Sequence, residues 1–193
     1  MAQWAAELQR GQRVLFFQDE CHFQWGDSCG YVWGPKGERI EVPMTNAKQK
    51  QTYYGVINYL TAEVLLKAYP TGNSEATIAF LKFLLATYPK QRLGLIWDGA
   101  SYHKSQQLQE FLAEVNHDLP PEQWKITCFL LAPHAPEQNP MEDVWLHGKS
   151  FVRQQYYRCK TFKDVKELFV ERLNSAVLDF PKLQDYRQAL QIN

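Results

Sequence analysis

Several things are scarce in this 193-residue chain, and each scarcity excludes something. Apolar runs such as FLKFLLA stop far short of the roughly 20 residues that a membrane-spanning helix needs. The opening MAQWAAELQRGQRV has no apolar core of the kind a secretory leader carries, so a cytoplasmic protein is expected. Cys21, Cys29, Cys128 and Cys159 form no C-x-x-C pair, which points to reduced thiols rather than a disulfide framework. A zinc site from Cys21, His22 and Cys29 lacks a fourth ligand at the usual spacing. An excess of either charge is missing too, because 21 basic and 21 acidic side chains cancel. Phosphate neutralisation dominates nucleic-acid affinity, so neutrality counts against a stand-alone nucleic-acid binder. It does not count against a domain that gathers acids in a site and bases around its rim. Internal repeats, low-complexity tracts and Ser/Gly-rich linkers are absent. With 45% hydrophobic and 14% aromatic residues, the chain has ample material for one buried core.

What is present reads as alternating strands and helices. The first dozen residues read as a short helix or a tether. RVLFFQDECHFQ, residues 13 to 24, is a β-favouring apolar run ending in acids. Residues 25 to 50 are rich in Gly, Trp and Lys and read as a hairpin or ordered loop. TYYGVINYL (52 to 60) and EVLLKAYP (63 to 70) are two further strands, joined tightly enough to be antiparallel. A helix is predicted over 74 to 88 with Ser74 as N-cap, stopped before Pro89. RLGLIWD (92 to 98) is a strand closed by a carboxylate, residues 105 to 116 a helix, and WKITCFLLA (124 to 132) a fifth strand. After the bend PHAPEQNP, helical periodicity returns over 141 to 157, and 161 to 178 is a last helix capped by Thr161. This order predicts an α/β protein with a mixed five-stranded sheet flanked by helices, compatible with a ribonuclease H-like fold.

Three carboxylates fall at element ends. Asp19 follows the first strand core, Asp98 closes the fourth strand, and Glu142 opens the helix after the Asn139–Pro140 bend. Such ends line the crevice where ligands bind in α/β sheets, provided the first and fourth strands are neighbours. Three hard-oxygen ligands suit magnesium, and two such ions can clamp the attacking and leaving oxygens of a phosphodiester displacement. Each acid alone has an ordinary explanation as a turn-former or helix-dipole partner.

The surrounding residues decide between these readings. LLAPHAPEQNPMEDVW resembles a motif of the mariner-like bacterial insertion-sequence transposases, with Pro136, Asn139, Pro140, Met141, Glu142 and Trp145 in its places. IWDGASYHKS and FFQDECHFQWGDSCGYVWGPKG are similar to that family's second and first motifs. The resemblance implies a DDE catalytic domain over residues 13 to 180, with 1 to 12 a tether and 181 to 193 a tail. It implies Asp19, Asp98 and Glu142 as catalytic residues and ligands of two Mg2+ or Mn2+ ions, the last two acids standing 44 positions apart. It further implies DNA cleavage and strand transfer, typically at a TA dinucleotide. The partners would be transposon ends and target DNA, met at the bacterial nucleoid by a homo-oligomer. Family members carry helix-turn-helix domains ahead of the catalytic one. None is legible before Asp19, so a separately encoded reading segment or partner is expected. A metal-dependent nuclease of other purpose and a non-catalytic DNA-binding remnant stand as alternatives.

Secondary candidates carry less. His103, Lys104, Lys149 and Arg153 are candidate DNA contacts, the last two opening a stretch from 149 to 172 with seven Lys/Arg against three Asp/Glu, which a solvated helical face explains equally; for His103 the other readings are a group that orients a ligand and a loop histidine bonded to backbone. Glu20 points away from Asp19 in a strand, and Asp143 is offset about 100° from Glu142 on a helix. Trp25, Tyr31 and Trp33 read as packing residues, with base stacking the alternative. His22 and His134 receive no role.

Overall fold

A computed structural model describes residues 4–25, 35–37, 49–132 and 136–189. Five strands form one sheet: β1 (Arg13–Gln24), β2 (Lys50–Asn58), β3 (Val64–Tyr69), β4 (Arg92–Trp97) and β5 (Ile126–Leu130). Their order is β3-β2-β1-β4-β5. The pairs β1–β2 and β2–β3 are antiparallel, whereas β1–β4 and β4–β5 are parallel. The expected mixed five-stranded sheet is therefore present, and its first and fourth strands are neighbours, running from Arg13 opposite Arg92 to Phe17 opposite Ile96.

The central strands are buried on both faces, which is why VLFF and LGLIW are continuous apolar runs rather than alternating ones. Leu15, Phe17, Cys21, Phe23, Tyr53, Ile57 and Ile96 point to one face. There they meet α4 (Pro140–Gln154), α5 (Phe162–Leu173) and α6 (Pro181–Ala189) through Met141, Val144, Trp145, Phe169 and Leu183. Phe16, Tyr54, Val56, Leu93, Leu95 and Trp97 point to the other face, against α2 (Ser74–Thr87) and α3 (Gln106–Val115) through Phe80, Leu84, Leu108 and Phe111. A short helix α1 (Ala5–Gln9) closes the end of the sheet remote from the acids. Its Trp4 ring lies 5.1 Å from Phe129 and 3.8 Å from the guanidinium of buried Arg13.

Helix ends follow local capping. Thr161 caps α5 as its sequence predicts, and Asp164 completes a capping box that the structure adds. The cap of α2 is Asn73 rather than Ser74, because the Asn73 carboxamide oxygen accepts the Ala76 N–H at 2.9 Å. The helix predicted to reach 178 stops at Leu173. Ser175 turns into the left-handed region at φ 60°, and the chain then lies along β3, with a bridge between Glu63 and Val177. Those bonds satisfy an otherwise open sheet edge, a gain that helical periodicity cannot register. Within the stretch expected to be a tail, Pro181–Ala189 is helix α6, and its Leu183 is fully buried. The reading of 25 to 50 as a hairpin or loop lies almost wholly outside the described residues, with Cys29, Tyr31 and Trp33; His134 lies outside them as well.

Close packing of α4 rests on two glycines. A Cβ at Gly55 in β2 would stand 2.7 Å from Met141 Cε and 2.9 Å from Trp145 Cζ2. One at Gly148 would stand 2.6 Å and 2.7 Å from carbons of Leu173 and Phe169. Alanine normally favours a helix over glycine by about 1 kcal/mol. Overpacking costs about 1–3 kcal/mol, so Gly148→Ala is expected to lower stability by roughly 1 kcal/mol net. Urea unfolding checks this; a gain in midpoint would mean that α4 and α5 pack less tightly than described.

Candidate active site

The parallel pairing of β1 and β4 brings the first two acids level. Phe17 pairs with Ile96, and two residues further along each chain stand Asp19 and Asp98. Paired strands lie about 4.8 Å apart. Asp19 is partly buried, on the face that α4 covers, and Trp145 of α4 donates its indole N–H to Asp19 Oδ2 at 2.9 Å. That reach is possible because the cross-strand partner of Asp19 is Gly55, whose missing side chain leaves room for the indole.

Glu142 is exposed in the first turn of α4. Asn139 holds that turn against β1: its side-chain oxygen accepts the Met141 N–H at 3.1 Å, while its amide nitrogen donates to the Gln18 carbonyl at 2.9 Å. One buried side chain therefore caps the helix carrying the third acid and ties it to the residue before the first. Burial, with the charges of Glu20 and Glu142 added, lifts the Asp19 carboxyl to about 8. Asp98 is held differently. Its Oδ1 accepts the Ala100 N–H at 3.0 Å and lies 3.1 Å from His103 Nδ1, and the imidazole is the main cause of a lowered carboxyl pKa. Asp19 and Asp98 thus each have one oxygen held by a neighbouring side chain.

The donor chemistry suits a hard divalent cation: three carboxylates, with Asp19 so short of compensating charge that it holds its proton to about pH 8. Asp19 and Glu142 are brought together electrostatically, and Asp98 stands beside them in register. Among the described residues, no three ligating groups are drawn tightly enough to form one coordination shell. Mutual repulsion of carboxylates favours such spacing until a cation offsets it.

The remaining candidates fall elsewhere. Glu20 turns to the opposite face, where it accepts from Gln18 at 3.0 Å and from the Tyr102 hydroxyl at 2.9 Å. Asp143 is paired with Lys182 at 2.8 Å. His22 Nδ1 lies 3.0 Å from the Thr52 hydroxyl. Trp25 packs on Phe162 with ring centres 5.8 Å apart, which agrees with a packing role. Of the readings of His103, contact with DNA is corrected, whereas its Nδ1 does bond backbone, at the Asp98 carbonyl 3.1 Å away. Grouped with Lys104 as a DNA contact, it is instead 3% exposed, with both ring nitrogens turned to Asp98 and Glu20, so only Lys104 of the pair is at the surface. Burial pushes the imidazole down, but the two carboxylates outweigh it and raise it to about 9. Lys149 and Arg153 lie along α4, partly buried, on the stripe that begins at Glu142. Trp145 and Asn139 stand in the quoted motif, yet nothing in the sequence says what they bond; Tyr102 carries no signal at all.

A mixed sheet flanked by helices, with acids on β1, just past the adjacent parallel β4 and at a facing helix start, is the arrangement of a ribonuclease H-like fold. The chain belongs to the DDE superfamily endonuclease family, whose model matches residues 14–168. No curated protein matches its sequence. It is similar in fold to the Mos1 transposase in a paired-end complex with the left transposon end, at TM-score 0.63 and 14% identity, over 96% of this chain and 55% of that one. A Mos1 mariner paired-end complex with Mn matches at TM-score 0.59 and 14% identity, over 97% and 57%. The HTLV-2 integrase catalytic core domain in complex with magnesium matches at TM-score 0.51 and 12% identity, over 82% and 84%. The chain thus spans little more than half of the Mos1 chains and most of the integrase core.

Two outcomes test this geometry. Without cations, Asp19 keeps a proton to about pH 8 when folded, against an ordinary value of 3.8. The folded state then holds the extra proton between those values, so stability falls as pH rises through that window, by at most about 1.4 kcal/mol per unit. Asp19→Asn should flatten a thermal-unfolding profile from pH 4 to 6; above that, His103, also raised, adds a loss of its own that the variant keeps. An unchanged slope would show that Asp19 is not short of compensating charge. Asn139→Ala should cost about 2–4 kcal/mol, a lost N-cap plus an orphaned buried carbonyl. Asn139→Asp keeps the capping acceptor but loses the donor to Gln18, and should cost less; equal losses would mean that the cap contributes nothing.

Proposed function

We propose that this chain is the catalytic domain of a cut-and-paste DNA transposase, in which Asp19, Asp98 and Glu142 hold two Mg2+ or Mn2+ ions. The observation supporting the proposal is that Asp19, on β1 two residues past its last pairing with β4, feels the charge of Glu142 and stands in register with Asp98 just past β4, within the matched family region. When bound, such ions supply Lewis acidity that activates the attacking oxygen and offsets charge on the leaving one. The chain's own part is positioning and charge, which is most of what phosphoryl transfer asks of a protein. Trp145 and His103 each hold one carboxylate oxygen of their acid, and Asn139 sets the height of Glu142 against β1.

The DNA is proposed to run along α4. Glu142, Lys149 and Arg153 recur on one face of that helix, and Lys149 and Arg153, one turn apart, are about 6 Å apart along its axis. Lys104 adds a cation on the Asp98 side. Phosphate contacts of this sort carry no sequence information. Recognition of element ends is therefore assigned to a helix-turn-helix segment or partner, and assembly to a homo-oligomer on DNA, with insertion at TA. Two solved neighbours contain paired transposon ends or magnesium, in keeping with both DNA and a divalent cation here. Among the described residues, no helix is long and apolar enough to cross a membrane.

Asp19→Asn, Asp98→Asn and Glu142→Gln are each expected to abolish nicking of plasmid DNA and joining of a labelled 3′-hydroxyl duplex to it, while still folding. Mg2+ or Mn2+ should support both steps, and Ca2+ should permit DNA binding with little turnover. Nicking without joining would favour a nuclease of other purpose. Full activity in any one variant would remove that residue from the site.

A further inference from the structure

Asp98 is the first residue past β4, and its side chain is 51% exposed. A carboxylate so placed rotates freely unless something selects a rotamer. The Ala100 N–H donates to Oδ1 at 3.0 Å, and His103 Nδ1 stands 3.1 Å from the same oxygen. The Ala100 N–H belongs to the same loop and moves with it. His103 does not. Its ring is buried, stacked on Trp97 at 4.4 Å and 9°, with the Tyr102 ring edge-on at 4.8 Å. Nδ1 hydrogen-bonds the Asp98 carbonyl at 3.1 Å with Oδ1 at the same distance, so that nitrogen faces only acceptors and carries a hydrogen that the two oxygens share. On the far side, Nε2 lies 3.4 Å from Glu20 Oε1, and Glu20 is itself held by Gln18 and Tyr102.

We propose that His103 is a positioning residue that fixes the Asp98 carboxylate for cation binding, and that Glu20 orients His103. The tandem acids Asp19 and Glu20 then serve the same site from two directions. Strand alternation sends Asp19 to the face covered by α4 and sends Glu20 behind Asp98, where it buttresses the imidazole. Loss of a partner that orients a metal ligand typically weakens metal binding by about 10- to 100-fold. The proposal rests on Asp98 being a cation ligand.

Two amide substitutions separate positioning from mere packing. The side-chain nitrogen of His103→Asn falls near Nδ1 and can still donate to Asp98; that of His103→Gln falls near Nε2 and reaches only Glu20. Mn2+ affinity of the protein is measured by electron paramagnetic resonance of the free ion, with circular dichroism melting to confirm that each variant folds. His103→Asn should bind Mn2+ within about threefold of the parent, and His103→Gln about 10- to 100-fold more weakly. Parent-like affinity in His103→Gln, or equal weakening in both variants, overturns the proposal. Asp98→Asn is the control. If it binds Mn2+ like the parent, the reading of Asp98 as a ligand fails together with the proposal. If it loses Mn2+ while His103→Gln keeps it, only the positioning role fails.

Discussion

Asn139 sits 3% exposed where the last helix-breaking bend meets the sheet, and its one carboxamide makes two bonds in different directions. The oxygen accepts from the first turn of α4, and the nitrogen donates to the carbonyl of Gln18. Gln18 precedes Asp19 and Glu142 lies three residues past Asn139, so the distance between first and third acids is set through this side chain. A hydrophobic residue here would orphan a buried carbonyl and leave α4 uncapped. The rest of the site builds on that anchor: Met141 and Trp145 settle onto Gly55, and the indole reaches Asp19.

The site is electrostatically unbalanced by construction. Asp19 is pressed by burial, Glu20 and Glu142, whereas Asp98 has a cationic imidazole beside it. Two carboxylates in register on neighbouring strands thus differ in proton affinity because one is buried facing other acids and the other faces His103. A sheet buried on both faces makes this possible. Side chains alternate between two packed layers, so neighbours in sequence meet different surroundings. Asp19 and Glu20 are adjacent in the chain and separated by the thickness of the sheet.

Much of the architecture was legible in the chain. The five strands, their order along the sequence and the helices between them follow from apolar runs, turn residues and capping residues, which act over a few residues. Boundaries were poorer where a local signal competed with a tertiary one. Leu173 to 178 keeps helical periodicity, but the free edge of β3 takes up that segment. Pro181–Ala189 has few apolar residues, and Leu183 alone gives little notice of a docked helix.

The acids themselves, Asp19, Asp98 and Glu142, are sequence facts, recognisable because motif residues surround them. What they contact is not. Whether β1 pairs with β4 depends on sheet order, a competition among long-range pairings that no short window contains. The same holds for Trp145 and Asp19, which lie 126 positions apart and meet only because Gly55 leaves a gap between them. His103 shows the division most clearly. As a residue type after an acid at a strand end it fitted a phosphate contact, a ligand-orienting group or a loop histidine bonded to backbone. Stacking on Trp97 buried it, and burial against two carboxylates turned it inward. Residue types and local periodicity thus determined which groups were available and which elements carried them. Packing across the sheet decided which of those groups face one another, because only tertiary contacts settle solvent exposure and cross-element distance.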